Sequence, residues 1–445
     1  MEQEQIDHFR RRLAFTDTRQ GVPEGYPDFP IIHPGRYIDQ RYFDLEQTHV
    51  FRKSWLMAGH SDQLPEPGCF KTWDRVIGEP VILFHGKDGQ IRAFYNICRH
   101  RGATLTNKPY GKVRTLACAY HGWIYDNQGD LVSIRDQRDF PDFDKSCYGL
   151  KPIRTEMLGK MIFINFDDDA EDLRTSLGQI GKEFMEDYAF EMTCVVEHDA
   201  WVAPCNWKLL VEGGIENYHV RTIHRQTLPN YRENQGMHTL YPGGHSRDTI
   251  LQEGLKDEDG LVLDGFVRRH DAEVLLDDHE DDRPMNPRLN DLANEVGFIY
   301  STHPNMQMGP FYSRGFVVSC YWPTSLTQGL HEFYVFGYGD AESAKSVFWP
   351  RDVAQAKAVL NEDLDFIEMV QKGIVSRGNM GVKLGYLEAR LQHLNETLDR
   401  QIGIENIPED LRIDQVIGDE WIWPNDIARY EAEMERTNVA REAAE

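Results

Sequence analysis

A chain of 445 residues with 73 acidic against 48 basic side chains has a formal net charge of −25, which excludes a general nucleic-acid role, because phosphate binding needs positive surface. The length exceeds one usual hydrophobic core and predicts two domains, and no run approaches the roughly 18 consecutive apolar residues of a membrane span. Seven scattered cysteines, an odd number in a large chain, argue against a disulfide framework and for reduced thiols or metal ligands.

The N-terminal MEQEQIDHFRRRLAF lacks the basic start and apolar run of a secretory signal, so a cytoplasmic protein is expected. It predicts a short helix, followed by the Pro-rich GVPEGYPDFPIIHPGRY, which should run extended; together they form a lead over residues 1–50. From residue 51 the texture turns to short strands. PVILFHG (80–86) and QIRAFYN (90–96) flank a Lys-Asp-Gly turn, GWIYD (122–126) precedes another turn, and MIFINF (161–166) closes an all-β domain over 51–166. AEDLRTSLGQIGKEFMEDY (170–188) has helical spacing and marks the junction to a larger α+β domain over 167–445. Residues 255–285 form a charge-rich stretch expected to be a solvated loop. Two long helices are predicted over 351–374 and 383–400.

Two constellations carry chemistry. In residues 98–121, Cys98 and His100 are one residue apart, Cys118 and His121 two, with each pair beside a predicted hairpin turn. Paired spacing in adjacent loops points to one metal site, for which a structural Cys2His2 zinc is a legitimate reading. Five cations, Arg99, Arg101, Lys108, Lys112 and Arg114, crowd this stretch without an acidic residue. The second constellation, NWKLLVEGGIENYHVRTIHRQT (206–227), places His219 and His224 five apart. Five residues turn a helix by about 500°, which would splay the rings, so the helix must end or distort between them.

Cys98-x-His100 with Cys118-x2-His121, followed by Gly122-Trp123 and an aromatic strand, resembles the Rieske [2Fe–2S] motif, in which two Cys hold one iron and two His the other. Asn206-Trp207-Lys208, Glu212, Glu216, Tyr218-His219 and His224 resemble the catalytic segment of Rieske non-heme iron oxygenase α subunits, the aromatic-ring-hydroxylating dioxygenase family. The resemblance spans roughly residues 35–375. It implies an α+β fold: an all-β Rieske domain, then a catalytic domain with an antiparallel sheet and flanking helices of the helix-grip type. It also implies a 2-His-1-carboxylate Fe(II) site. Residues 362–371 fit the family pattern Glu-Asp-x4-Glu-x-x-Gln, which makes Asp363 the third ligand; Asp365, the rival, lies about 200° round the helix. Glu216, three residues before His219, stands where the family carries an acidic residue that bridges an iron histidine to a Rieske histidine of the neighbouring subunit. Many members have Asp here; Glu is commoner among those that demethylate quaternary amines. Glu212-Gly213-Gly214 departs from the usual Glu-Asn.

The implied activity is that of a terminal oxygenase hydroxylating an aromatic compound with O2. Its enzymatic rival is hydroxylation or N-demethylation of a quaternary amine such as a betaine or carnitine. A Rieske electron carrier, opposed by His219, His224 and Asp363, and a zinc-stabilised binding protein, which would be colourless, complete the readings. The chain contains neither a dinucleotide Gly-x-Gly-x-x-Gly nor a plant-ferredoxin cysteine run. Electrons must therefore come from a separate NAD(P)H-dependent reductase, with or without a ferredoxin. Family architecture implies a homotrimer, with or without a small β subunit. The five cations would steer an acidic electron donor. Met306, Met308, Phe311 and Phe316 are either a pocket wall or core.

Overall fold

The computed structural model describes residues 3–228, 236–251, 255–256, 262–263, 296–311, 315–340, 342–345 and 349–442. They form two compact units, residues 47–176 and residues 1–46 with 177–445. The chain crosses between them within the helical segment Leu173–Glu186, which breaks at Gly178.

The smaller unit is built from strands β1 (Leu56–His60), β2 (Cys69–Trp73), β3 (Val81–His85), β4 (Ile91–Tyr95), β5 (Tyr110–Lys112), β6 (Thr115–Ala117), β7 (Ile124–Asp126), β8 (Leu131–Ser133), β9 (Pro152–Leu158) and β10 (Met161–Asn165). They form an antiparallel sheet ordered β1-β10-β9-β4-β3-β2-β5 and a small sheet β6-β7-β8. The expected hairpin is β3–β4, registered from Val81↔Tyr95 to His85↔Ile91. Its turn closes through Gly89 at φ +80°, and Asp88 receives Arg92 at 2.7 Å. Phe70, Phe84, Phe94, Trp123 and Tyr125 share one core that joins the two sheets. The loops after β4 and after β6 therefore start from fixed strand ends.

The larger unit holds a seven-stranded sheet. Its strands are β11 (Thr193–Ala203), β12 (Met237–Leu240), β13 (Ser246–Leu251), β16 (Val296–Thr302), β17 (Met306–Phe311), β18 (Gly315–Ser325) and β19 (Gln328–Tyr338), with a ribbon of β14 (Leu255–Lys256) and β15 (Val262–Leu263) apart. The order is β11-β19-β18-β17-β16-β13-β12, antiparallel at each junction. Helices α1 (Gln3–Thr18), α2 (Trp207–Gly214), α3 (Trp349–Ile374), α4 (Ala389–Ile402) and α5 (Asp426–Glu442) complete it. Helix α2 packs on α3 and on β17, β18 and β19. The helix expected over 383–400 begins later, at Ala389. Gly385 is extended and donates its N–H to Glu388 at 2.7 Å, so the preceding residues make a tight turn instead. Most of the charge-rich stretch 255–285 lies outside the described residues.

Period-two alternation decides the fate of the apolar stretch 296–323. Met306, Met308 and Phe316 are buried, and Phe316 packs against Tyr188 and Phe190. Their strand neighbours Gln307, Gly309 and Val317 line a cavity that those three do not reach. They are core, on the face away from it; the side chain of Phe311 lies outside the described residues.

The lead is not a tail. Its buried charges pair with residues far along the chain: Arg12 with Asp426 at 3.0 Å, Arg36 with Asp399 at 2.7 Å, and Glu46 with Lys208.

Candidate metal centres

In the smaller unit, one turn is built twice. Cys98 donates its N–H to Ala103 O at 2.8 Å and Gly102 to Cys98 O at 2.9 Å; Cys118 donates to Trp123 O at 2.8 Å and Gly122 to Cys118 O at 2.9 Å. Both turns close through a glycine at positive φ, +76° at Gly102 and +71° at Gly122, where a side chain is strained. The histidines sit inside these turns. The His100 and His121 rings meet edge to face with centroids 4.5 Å apart, and His100 stacks on Trp123 at 4.8 Å.

The donor set fits a metal cluster. Cys98 and Cys118 are buried and in no disulfide. Burial pushes the Cys98 thiol up, against a hydrogen bond from Tyr125 that pulls it down, so ionising Cys98 needs a cation beside it. His100 Nδ1 is buried without a hydrogen-bond partner, an arrangement that a metal bond satisfies. Tyr125 braces the first loop: its hydroxyl lies 3.5 Å from Cys98 Sγ and accepts the Arg99 N–H at 3.0 Å. The five cations are all exposed. Lys112 pairs with Glu66 at 2.7 Å, and Arg101 lies over the Tyr120 ring at 5.6 Å, so the positive island is partly offset by its own unit.

In the larger unit, the Asn-Trp-Lys motif is an anchor. Asn206 caps α2 by accepting the Lys208 N–H at 3.0 Å, and its own N–H reaches Gln371 Oε1 on α3 at 2.7 Å. The Trp207 indole donates to Glu46 at 3.0 Å, and Lys208 pairs with the same carboxylate. Glu212 accepts from the Tyr37 hydroxyl at 3.0 Å and from Asn395 at 3.1 Å. Burial pushes its carboxyl up to about 7, against those hydrogen bonds. These contacts fix α2 against α3, and with them the chain that follows.

Helix α2 ends before His219, and a single turn, Val220–Ile223, separates the two histidines. Breaking the helix there turns both rings to one point. His219 Nε2 and His224 Nε2 are 3.2 Å apart, and Asp363 Oδ1 on α3 lies 3.5 Å from the first and 2.9 Å from the second. Among the described residues these three are the group whose ligand atoms converge, all within 4.8 Å of one another. Asp365 is exposed on the same helix.

The other nitrogen of each ring is committed to a carboxylate. His219 Nδ1 bonds Glu216 Oε1, and His224 Nδ1 lies 2.9 Å from Glu362 Oε2, which also accepts from Thr227 Oγ1 at 2.6 Å. An ionised carboxylate only accepts, so each ring carries its proton on Nδ1 and turns a lone pair at Nε2 inward. Two imidazole nitrogens and a carboxylate oxygen converging on one point fit a divalent cation, which would take the place of the proton that Asp363 and Glu362 favour on His224. The sequence reading gave Glu362 and Thr227 no role; the one signal was the position of Glu362, immediately before Asp363.

Against these three residues lies a cavity of about 170 Å³. Leu210, Val220, Phe298, Val317, Leu360 and Ile367 contribute its apolar wall, and Gln307, Ser319, Tyr321 and His331 its polar one.

Residues 54–144 match the Rieske [2Fe-2S] domain, and residues 186–404 match the catalytic domain of the ring hydroxylating alpha subunit. The chain is 37% identical over 199 residues to biphenyl 2,3-dioxygenase subunit alpha of Rhodococcus jostii (strain RHA1), covering 43% of this chain and 42% of that one. It thus spans less than half the length of that relative. It is 27% identical over 375 residues to the carnitine monooxygenase oxygenase subunit of Escherichia coli (strain K12), covering 81% of this chain and 89% of that one. In fold it is similar to the solved structure of a quaternary ammonium Rieske monooxygenase, with a TM-score of 0.68 at 21% identity, over 88% of this chain and all of that one.

Proposed function

Because the chain belongs to the ring-hydroxylating alpha subunits, with a Rieske [2Fe-2S] domain ahead of the catalytic domain, we propose that it is the terminal oxygenase of a multicomponent system that hydroxylates a small aromatic compound. The observation that carries this reading is the apolar cavity beside His219, His224 and Asp363. Cavities of roughly 150 Å³ lined by such side chains take up benzene, so about 170 Å³ suits a single substituted ring.

In this reading Cys98, Cys118, His100 and His121 hold the cluster, and His219, His224 and Asp363 hold Fe(II). When bound, the two groups supply single electrons and an open coordination site for dioxygen. The chain's own residues do the rest. Glu216 and Glu362 keep both Nδ1 protons in place, which fixes the ring orientations. The aliphatic walls exclude water and seat the substrate within reach of the metal.

Electrons come from a separate NAD(P)H-dependent reductase, with or without a ferredoxin, and the exposed cations near Cys98 and Cys118 favour an acidic donor. A ring of three chains completes the proposal. Glu216 uses Oε1 on His219 Nδ1 and Oε2 on the Tyr218 and His219 N–H groups. A carboxylate oxygen has further lone pairs, which can receive a histidine of the neighbouring chain. No described helix is long and apolar enough to cross a membrane.

A quaternary amine substrate is the second reading, favoured by the similarity to the carnitine monooxygenase oxygenase subunit over 81% of the chain and by Glu at 216. The cavity speaks less for it: among the described lining residues the carbocyclic aromatics are Phe298 and Tyr321, a thin cage for a cation. Reduced holoenzyme exposed to 18O2 with toluene, benzoate and glycine betaine in turn decides between them. Label in an aromatic product is expected; label or formaldehyde from betaine alone overturns the aromatic assignment, and no labelled product from any of them overturns the oxygenase reading.

A further inference from the structure

The polar wall of the cavity is ordered by sheet register. Gln307 on β17 lies opposite Ser319 on β18, and Tyr321 on β18 opposite His331 on β19. Directly opposed residues share a face, and so do residues two apart on one strand. All four side chains therefore point to one side, and all four line the cavity.

Hydrogen bonds tie them in two pairs, one of which reaches on to the end of α2. His331 Nε2 lies 2.8 Å from Ser319 Oγ, and Ser319 stands two residues before Tyr321 on the same face of β18. Tyr321 donates to Gln307 Oε1 at 2.7 Å, and Gln307 Nε2 donates to Gly214 O. Gly214 O is one of the carbonyls that the end of α2 leaves without a helical partner. The glycine makes this packing possible: a Cβ would meet Gln307 Oε1 and come within 2.7 Å of Tyr321 Oη, so these side chains would have to shift. Gly213-Gly214, where an Asn is usual, thus makes room for a different amide, brought in from the sheet.

The wall is uncharged. Burial holds His331 down to about 3 and pushes the Tyr321 hydroxyl up, and none of the four is a carboxylate. The path from Tyr321 ends on a carbonyl, which fixes its direction from Tyr321 through Gln307 to Gly214. A primary amide carries two N–H groups. The bonds among the described residues use one of them, and Gln307 is only half-buried, beside the cavity.

We propose that Gln307 is a specificity-determining residue whose second amide N–H binds an acceptor oxygen on the substrate, so that the cavity selects a ring-sized apolar compound bearing one carbonyl, ether or hydroxyl oxygen. The inference rests on the reading of this cavity as the substrate site of an oxygenase. A pure hydrocarbon would leave the N–H unpaired and desolvated, and a site built to bond an oxygen rejects the analogue without it.

Acetophenone and α-methylstyrene are planar and nearly isosteric, differing by C=O against C=CH2. Their affinities for reduced, oxygen-free holoenzyme, measured by calorimetry, should favour acetophenone. Gln307→Leu should lower that preference about tenfold. Gln307→Glu, which still accepts from Tyr321 but has no N–H for either Gly214 O or the substrate, should lower it as well, with cluster absorbance and iron content unchanged in both variants. A preference unchanged in both, or absent in the wild type, overturns the proposal and leaves the oxygenase reading standing. Failure of either probe to bind the wild type overturns the aromatic assignment together with it.

Discussion

Glu362 Oε2 lies 2.9 Å from His224 Nδ1, and the next residue, Asp363, brings Oδ1 to 2.9 Å from Nε2 of the same ring. Consecutive side chains on α3 thus face both nitrogens of one imidazole, one placed to orient it and one placed to share a metal with it. Removing the orienting partner of a ligating histidine typically costs 10–100-fold in metal affinity. Glu362→Ala should lose iron on dialysis by about that factor, while the cluster absorbance of the same sample stays constant as an internal reference.

Asp363 and Asp365 separate the ligand from its neighbour on the helix. Asp363→Asn should abolish retained iron, and Asp365→Asn, at an exposed position, should leave it intact. Equal loss in both, read by elemental analysis, would move the third ligand away from Asp363.

Glu216→Gln should leave both metals bound yet slow product formation. The amide has one acceptor oxygen in place of a carboxylate, which weakens the grip on His219 Nδ1. Single-turnover product yield against iron content tests this; unimpaired turnover at full iron occupancy removes Glu216 from electron delivery.

Glu212 predicts a pH dependence of stability. Burial raises its folded value to about 7 from an ordinary 4.5, so the folded state binds more protons than the unfolded one between those values. The stabilisation is complete below the unfolded value and is lost as pH rises through the folded one, on the order of 3 kcal/mol in all. Glu212→Gln should flatten the fall in urea midpoint between pH 5 and 8 relative to wild type. A parallel fall in both proteins would locate the titration elsewhere.

Gly214→Ala should displace the Gln307 amide and disturb Tyr321. Overpacking of this kind costs about 1–3 kcal/mol, measurable as a lowered thermal midpoint. Its selectivity between acetophenone and α-methylstyrene should shift in the same direction as that of Gln307→Leu.

The sequence made six of the seven candidate metal ligands legible because they come in short spacings: Cys98 to His100, Cys118 to His121, His219 to His224. Those spacings survive folding as turns, and the structure brings the rings together. What stayed hidden depends on strand pairing across long separations. That Gln307 meets Gly214, or that Met306 faces the core while Gln307 faces the cavity, follows from a register and a one-residue phase that composition does not reveal. The five cations read as one patch because Glu66, the partner of Lys112, is 46 positions away. The role of Asn206-Trp207-Lys208 was equally out of view, because Glu46 and Gln371 approach it from opposite ends of the unit.

The buried pairs Arg12–Asp426, Arg36–Asp399 and Glu46–Lys208 make the larger unit discontinuous in sequence, with the whole cluster-bearing unit inserted between its lead and its body. A fragment beginning at residue 177 would place Lys208, Asp399 and Asp426 in the interior without counter-charges, each loss costing about 3–5 kcal/mol. The iron-bearing unit therefore should not be recoverable by truncation. Domain dissection of this protein has to proceed by excising residues 47–176 and rejoining the ends, or by supplying the first 46 residues in trans.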